Sequence, residues 1–107
     1  MDLEKYLPLT ETTYYILLSL LDPAHGYVMM QKVEELSNHT VKIAAGTMYG
    51  AIENLLKNKL IESVASSDKR RKTYIITEKG KRVLQLDCER MKHMTRVTAS
   101  LLGNKEG

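Results

Sequence analysis

The chain has 107 residues, of which 16 are basic, 13 acidic and three histidine, and its formal net charge is +3. This length predicts one small domain with at most one added element. The longest apolar run, residues 16–18 with Leu20 and Leu21, is far too short to span a bilayer, and residues 1–9 lack the layout of a signal peptide. A single cysteine, Cys88, excludes an internal disulfide and fits a reducing compartment. We therefore expect a cytoplasmic protein with no membrane partner.

The basic residues are concentrated in one part of the chain. Residues 57–82 contain nine basic and three acidic side chains, a net charge of +6, whereas the rest contains seven basic and ten acidic ones, a net charge of −3. A basic stretch on a slightly acidic body predicts a local binding site for a polyanion such as nucleic acid. The alternative is an ordinary solvated, charged loop.

The first part of the chain has the pattern of two helices. Thr10 can cap a helix that runs to Leu21 and is apolar nearly all round, so we expect it in the core or between subunits. A second helix opens at residues 25–27 and reaches about Ser37. Residues 41–43 then alternate apolar and polar, as a very short strand does.

A third, amphipathic helix is predicted to begin with Thr47 as its cap. Its apolar face consists of Met48, Ile52, Leu55 and Leu56. The opposite face is small and polar, with Gly50 near its centre. Glycine at such a position costs up to about 1 kcal/mol relative to alanine. Close approach of a phosphate or a base edge would justify that cost; the alternative is a tolerated glycine.

A β-hairpin and a long helix follow. Residues 60–64 and 73–76 are expected to form two strands around a basic tip, with Tyr74 and Ile76 on one face of the second strand. Thr77 can cap the last helix, which we expect to run from residue 78 to about residue 102.

The order of these elements is helix, helix, short strand, helix, hairpin and long helix. It predicts a mainly α fold with a small β-hairpin, that is, a winged helix-turn-helix with a long C-terminal helix. Residues 1–77 would form the DNA-binding domain, and residues 78–107 a dimerisation helix and tail.

A polar helix face followed by a loop with four cations is what binding to double-stranded DNA requires, because the helix can supply side chains to base edges and the loop can supply charge to phosphates. The candidate DNA-binding residues are Lys42, Thr47, Tyr49, Gly50, Asn54, Lys57, Lys69, Arg70, Arg71 and Lys72. No set of nucleophile, base and orienting group is recognisable, so we expect no enzyme activity. No cofactor or metal is expected either, because Glu89 and His93 offer only one weak pair of ligands.

The last helix predicts a homodimer. One line of side chains at spacings of three or four forms a seam for a partner helix: Leu84, Cys88, Met91, Met94, Thr98 and Leu101. A second line, of Val83, Leu86 and Val97, is expected to face the protein's own first helix. The alternative is a last helix that folds back on its own domain.

Several motifs together resemble the PadR family of bacterial transcriptional regulators: the apolar run at residues 9–21, His25-Gly-Tyr27, Gly46-Thr-Met-Tyr49, Leu60-Ile61, Arg71-Lys-Thr-Tyr74 and Ile76-Thr-Glu-Lys-Gly80. The resemblance implies a winged-helix repressor that binds a palindromic operator as a homodimer through a single C-terminal helix. It also implies DNA contacts by Thr47 and Tyr49, and release by an apolar small-molecule effector at the dimer interface. Gly50 stands where many members have proline, and the chain lacks the tryptophan with which some relatives stack drugs.

Two other functions fit the residues. A winged helix could use its third helix and wing to bind an acidic partner protein. A metal-responsive or redox-responsive regulator could use Cys88 or Glu89 together with His93.

Overall fold

The computed structural model describes residues 2–65 and 71–103. After a short 3-10 turn at Glu4–Tyr6, the helices are α1 (Glu11–Ser19), α2 (Gly26–Leu36), α3 (Ala45–Lys57) and α4 (Glu78–Leu102). The strands are β1 (Ala24–His25), β2 (Ile61–Val64) and β3 (Thr73–Ile76), which form one antiparallel sheet in the order β1-β3-β2. The predicted class is confirmed: a mainly α chain with a β-hairpin, arranged as a winged helix with a long C-terminal helix.

Two side-chain caps begin helices where the sequence predicts them. The Thr10 hydroxyl accepts a hydrogen bond from the Thr13 amide at 3.1 Å, and the Thr77 hydroxyl accepts one from the Gly80 amide at 3.0 Å. Each satisfies an amide that has no partner within the first turn of its helix. At its other end, α1 stops before Leu21, because the Leu20 carbonyl accepts from the Ile76 amide of β3 at 2.9 Å.

The third strand of the sheet is β1. The prediction of a strand at residues 41–43 was wrong. Ala24 pairs with Tyr74, and His25 with Thr73. Val41 and Ile43 are buried and Lys42 is exposed, so the alternation was real. It reflects an extended segment held by side chains rather than by a neighbouring strand: the Val41 amide donates to the Ser37 hydroxyl at 2.9 Å.

Helix α3 begins two residues earlier than predicted, so Thr47 is not its cap. The N-cap is Ala44, whose side chain makes no capping hydrogen bond, while its carbonyl accepts from the Met48 amide at 3.0 Å. Met48, Ile52 and Leu55 are buried, as the apolar pattern predicted. Thr47 therefore lies in the first turn of the helix, on its exposed side.

The hairpin has the predicted faces. Ile61 pairs with Ile76, and Val64 with Thr73. Tyr74 and Ile76 are buried, whereas Thr73 and Ile75 are only partly buried. The register places one side of β3 in the core and leads the chain directly into α4.

The two halves of α4 have different surroundings. In the first half, Val83, Leu84 and Asp87 are buried with the core formed around α1. From residue 92 to residue 102, every side chain except Ala99 is exposed. The radius of gyration is 15.6 Å, larger than the roughly 13 Å expected for a compact chain of this length. The second half of α4 therefore extends beyond the body of the protein.

The predicted inward line on α4 was correct for one residue of three. Val83 is fully buried, but Leu86 is 40% exposed and Val97 is 41% exposed. Leu86 lies about 60° around the helix from Val83, on the side away from the buried Leu84 and Asp87. Val97 lies beyond the end of the domain that could cover it.

Candidate nucleic-acid interface

The outer face of α3 is open and polar. The candidate residues Thr47, Gly50, Asn54 and Lys57 are all exposed. A side chain built on Gly50 would meet nothing within 4 Å. No described neighbour in the chain therefore requires glycine at this position. The helix has 13 residues and is about 20 Å long, which suits insertion into a major groove about 12 Å wide.

Asn54 has a neighbour that affects how it could bind a base. The Asn58 amide group donates to the Asn54 side-chain oxygen at 3.3 Å and to the Asn54 backbone carbonyl at 3.0 Å. Reading an adenine uses both the oxygen and the nitrogen of an asparagine amide. The bond from Asn58 occupies one of the two lone pairs of this oxygen, so Asn54 keeps an acceptor site and its amide donors for a bidentate contact.

A cleft of about 500 Å³ lies beside α3, between the start of α2 and the base of the hairpin. Tyr27 and Tyr49 are 67% and 62% exposed, and they line it together with His25, Arg71 and Lys72. Together with Tyr74, three phenols and two cations thus line one cleft. Hydroxyl and cationic groups of this kind are the usual partners of backbone phosphates in DNA.

One hydrogen bond connects the base of the β2–β3 hairpin, called the wing, to the start of α2. An Arg71 guanidinium nitrogen (Nη1) donates to His25 Nε2 at 3.0 Å. The imidazole accepts this bond in the tautomer that carries its proton on Nδ1. Tyr74 closes the inner side of the cleft. Burial, and to a smaller extent the neighbouring Tyr49, raises the pKa of the Tyr74 phenol.

The rest of the predicted DNA-binding set is more dispersed. Lys42 is exposed in the segment between α2 and α3. Lys69 and Arg70 lie outside the described residues. Sequence reasoning did not include His25 and Tyr27 in the site, although the motif His25-Gly-Tyr27 was interpreted as the start of a helix and formed part of the family resemblance.

The residues predicted for dimerisation fall into three groups by exposure. Leu84 is 8% exposed and belongs to the core, so it offers little surface to a partner. Cys88 and Met91 are partly buried, while Met94, Thr98 and Leu101 are exposed on the extended half of α4. These last three lie with Val97 in one arc of about 100° around the helix.

A second cleft, of about 390 Å³, lies between α1 and α4. Tyr14, Tyr15 and Met91 line it together with Asp87, which is almost fully buried. The Asp87 carboxylate accepts from the Leu9 amide at 3.3 Å and from Arg90 Nε at 2.6 Å. The Leu9 bond connects the segment before α1 to the middle of α4, whereas the Arg90 bond lies within α4.

Among residues 2–65 and 71–103, no group of three or more His, Cys, Asp or Glu side chains is placed to hold a metal ion. No helix within these ranges is long and apolar enough to cross a membrane.

Solved structures share this arrangement of elements. The chain is similar to a transcriptional regulator from Clostridium thermocellum, with a TM-score of 0.66 at 24% identity, over 94% of this chain and 97% of that one. It is similar to a PadR family transcriptional regulator from Eggerthella lenta, with a TM-score of 0.65 at 27% identity, over 87% and 81%. It also resembles a PadR-like regulator from Bacillus cereus, with a TM-score of 0.69 at 21% identity, over 94% and 99%.

No curated protein sequence matches the chain significantly. The family described as the transcriptional regulator PadR-like family matches residues 16–86, about two thirds of the chain. Its members and the solved relatives are transcriptional regulators, a class that in general has no enzyme activity. The protein therefore belongs to the PadR-like family of transcriptional regulators and has the DNA-binding winged-helix fold of that family.

Proposed function

We propose that the protein is a cytoplasmic, homodimeric repressor that binds a palindromic DNA operator and leaves it when a small apolar molecule binds. The observation that supports DNA binding most directly is the placement of the cleft of Tyr27, Tyr49, Arg71 and Lys72 beside the open polar face of α3. One surface then offers groups for base edges and groups for phosphates.

In this proposal α3 enters the major groove. Thr47, Gly50 and Asn54 face the base edges, and the open space around Gly50 lets the backbone approach the DNA closely. Tyr49, Arg71 and Lys72 bind the flanking phosphates, with Lys42 and Lys57 as further cations at the edge of the footprint. Lys69 and Arg70, outside the described residues, are proposed as further phosphate contacts. Phosphate contacts set the orientation, and α3 supplies the sequence preference.

The dimer is proposed to form through the extended half of α4. Met94, Val97 and Leu101 are exposed there at 45%, 41% and 79%, on one side of a helix that nothing within the described chain covers. Pairing with the same helix of a second copy would remove this apolar surface from water. A symmetric dimer could place its two α3 helices in major grooves about 34 Å apart, which matches a palindromic site.

Release by an effector is proposed to act on the junction of α1 and α4. The cleft between them has an apolar and aromatic lining that includes Tyr14, Tyr15 and Met91. Because α4 carries the dimer contact and α1 belongs to the DNA-binding domain, a ligand here can favour a different spacing of the two domains. Repression rather than activation is supported by the family resemblance: a bound dimer would block access of the transcription machinery to the promoter.

The test begins with selection of bound duplexes from a random pool, which would give the half-site and its spacing. Affinity for the selected duplex is then measured against salt for the wild type, Arg71→Ala/Lys72→Ala and Asn54→Ala. The double variant should weaken binding to every duplex and flatten the log–log salt slope by about 0.9 for each phosphate that is no longer neutralised. Asn54→Ala should mainly alter the preference among sequences.

A matched control is Lys92→Ala, which removes a cation from α4 that pairs with Glu89 at 3.8 Å, away from the cleft. It should leave both the affinity and the salt slope close to wild type. If Arg71→Ala/Lys72→Ala and Asn54→Ala both retained wild-type binding, the proposed footprint would be wrong.

A further inference from the structure

His25 lies where β1 ends and α2 begins, and its side chain contacts Arg71 at the base of the wing. The backbone of His25 pairs with Thr73 of β3. It occupies the N-cap position of α2, yet its imidazole makes no capping hydrogen bond with that helix. The imidazole instead accepts from Arg71, 46 residues further along the chain.

This contact restricts a long side chain at the site where DNA is proposed to bind. An arginine side chain that loses a contact explores more rotamers, and ordering it on binding costs free energy. The guanidinium group has five N–H donors in one plane, and the bond to His25 uses one of them. A bidentate contact to a phosphate needs the plane of this group to face the opening of the cleft.

We propose that His25 is a positioning residue for DNA binding: in its neutral form it holds the Arg71 guanidinium toward a backbone phosphate at the cleft. This inference rests on the proposed function and names a residue that acts on DNA only through Arg71. Truncating His25 therefore matters only while Arg71 is present.

The proposal also sets the direction of a pH dependence. Protonated imidazole donates from both nitrogens and cannot accept the bond from Arg71. The groups that face His25 are Tyr27 from α2, Tyr49 from α3 and Tyr74 from β3, with Arg71 and Lys72 from the segment that precedes β3. Of the described residues that line this cleft, none is acidic. Protonation would place a third cation beside two others, so Arg71 leaves its position and DNA binding weakens as the pH falls.

The experiment is a double-mutant cycle on affinity for the selected duplex, measured by fluorescence anisotropy. At pH 7.5, Arg71→Ala should weaken binding by about tenfold, the order expected for the loss of one charge-assisted hydrogen bond. His25→Ala should weaken binding by about fivefold, because the Arg71 side chain remains but is held less firmly. His25→Ala/Arg71→Ala should bind no more than about twofold more weakly than Arg71→Ala alone. His25→Ala and Lys72→Ala should combine additively, because Lys72 has no hydrogen bond to His25 among the contacts of the described residues.

The second measurement is the pH profile between about 5.5 and 8, the range across which histidines titrate. Wild-type binding should weaken toward low pH. His25→Gln should have a flatter profile and bind at nearly wild-type strength at pH 7.5, because a glutamine amide oxygen can accept from Arg71 at any pH. His39→Ala is the matched control, since it removes an imidazole bonded to Glu34 at the far end of α2 and should leave the profile unchanged.

Independent, additive effects of His25→Ala and Arg71→Ala would overturn the inference. So would binding that strengthens at low pH in the wild type but not in His25→Gln, since His25 would then contact DNA as a cation. If His25→Ala does not fold, the pH profile of DNA binding by His25→Gln tests the inference by itself. A wild-type protein that binds no duplex would refute the proposed function itself, whereas a failed cycle in a protein that binds DNA refutes only the role of His25.

Discussion

Replacing Gly80 with alanine should destabilise the protein, although alanine is the better helix former. Gly80 lies in the first turn of α4, directly against the start of the hairpin. A Cβ atom there would overlap the Leu60 carbonyl oxygen and would lie 2.7 Å from Ile76 Cγ1. The Leu60 carbonyl cannot move easily, because it accepts from the Thr77 amide at 3.0 Å. Relief would require α4 and the hairpin to separate.

The magnitude follows from two opposing effects. Alanine gains up to about 1 kcal/mol over glycine in a helix. Overpacking typically costs about 1–3 kcal/mol, and a backbone obstacle places this site at or above the upper end. The expected net loss is about 2 kcal/mol, or a fall in Tm of roughly 8 °C for a chain of this size. Gly50→Ala is the matched control, since its Cβ meets nothing within 4 Å and only the helical gain should remain.

The assay is urea unfolding followed by circular dichroism at 222 nm, at one fixed protein concentration because the proposed dimer would make stability depend on concentration. Gly80→Ala should have a lower midpoint than the wild type, whereas the midpoint of Gly50→Ala should be equal or higher. If Gly80→Ala were as stable as Gly50→Ala, the close contact between α4 and the residue before β2 would not exist in solution.

Three other predictions test separate parts of the molecule. Gly50→Ala should weaken binding to the selected duplex, because the added methyl group would lie between α3 and the DNA, even though it does not destabilise the free protein. Fluorescence anisotropy measures this affinity. Met94→Glu/Leu101→Glu should convert the dimer to a monomer in sedimentation experiments, because charges would replace exposed apolar side chains at the proposed helix pair. Tyr14→Phe should lose less unfolding free energy than the wild type as the pH rises into the alkaline range. Burial, with the Cys88 side chain adding to the effect, raises the pKa of Tyr14 to about 12. The folded state then keeps a proton that the unfolded state loses above about pH 10. Stability therefore falls as the pH rises from about 10 to about 12, and urea midpoints across the lower part of this range would detect the difference.

Each of these predictions has an outcome that contradicts it. Unchanged affinity of Gly50→Ala would mean that the backbone of α3 does not approach the DNA closely. Lys92→Glu, a charge change on another side of α4, should leave the dimer intact; if it dissociated the dimer as well, the apolar arc would not be its cause. Equal alkaline slopes for Tyr14→Phe and the wild type would show that the Tyr14 phenol ionises alike in both states.

Local features of this protein could be predicted from the sequence alone. The caps at Thr10 and Thr77 depend on hydrogen bonds between residues three apart, and the faces of α3 and β3 depend on periods of 3.6 and 2 residues. The length of α4 and the two strands of the hairpin followed for the same reason. Tyr49, Arg71 and Lys72 were also singled out as candidates for DNA contact, a prediction that the proposed binding experiments address.

Pairings between distant segments were decided only by the tertiary structure. A two-residue strand such as β1 has no period to detect, and its partner β3 lies about 50 residues away. From the sequence alone, the alternation at residues 41–43 could not be distinguished from that of a strand. The structure places β1 in the sheet instead. On α4, Leu84 and Leu86 are equally apolar, but only Leu84 reaches the core, because burial depends on where α1 lies and where the domain ends. The same reason explains the cleft: Tyr27 and Tyr49 stand on different helices, and His25 accepts from Arg71 only because β1 pairs with β3.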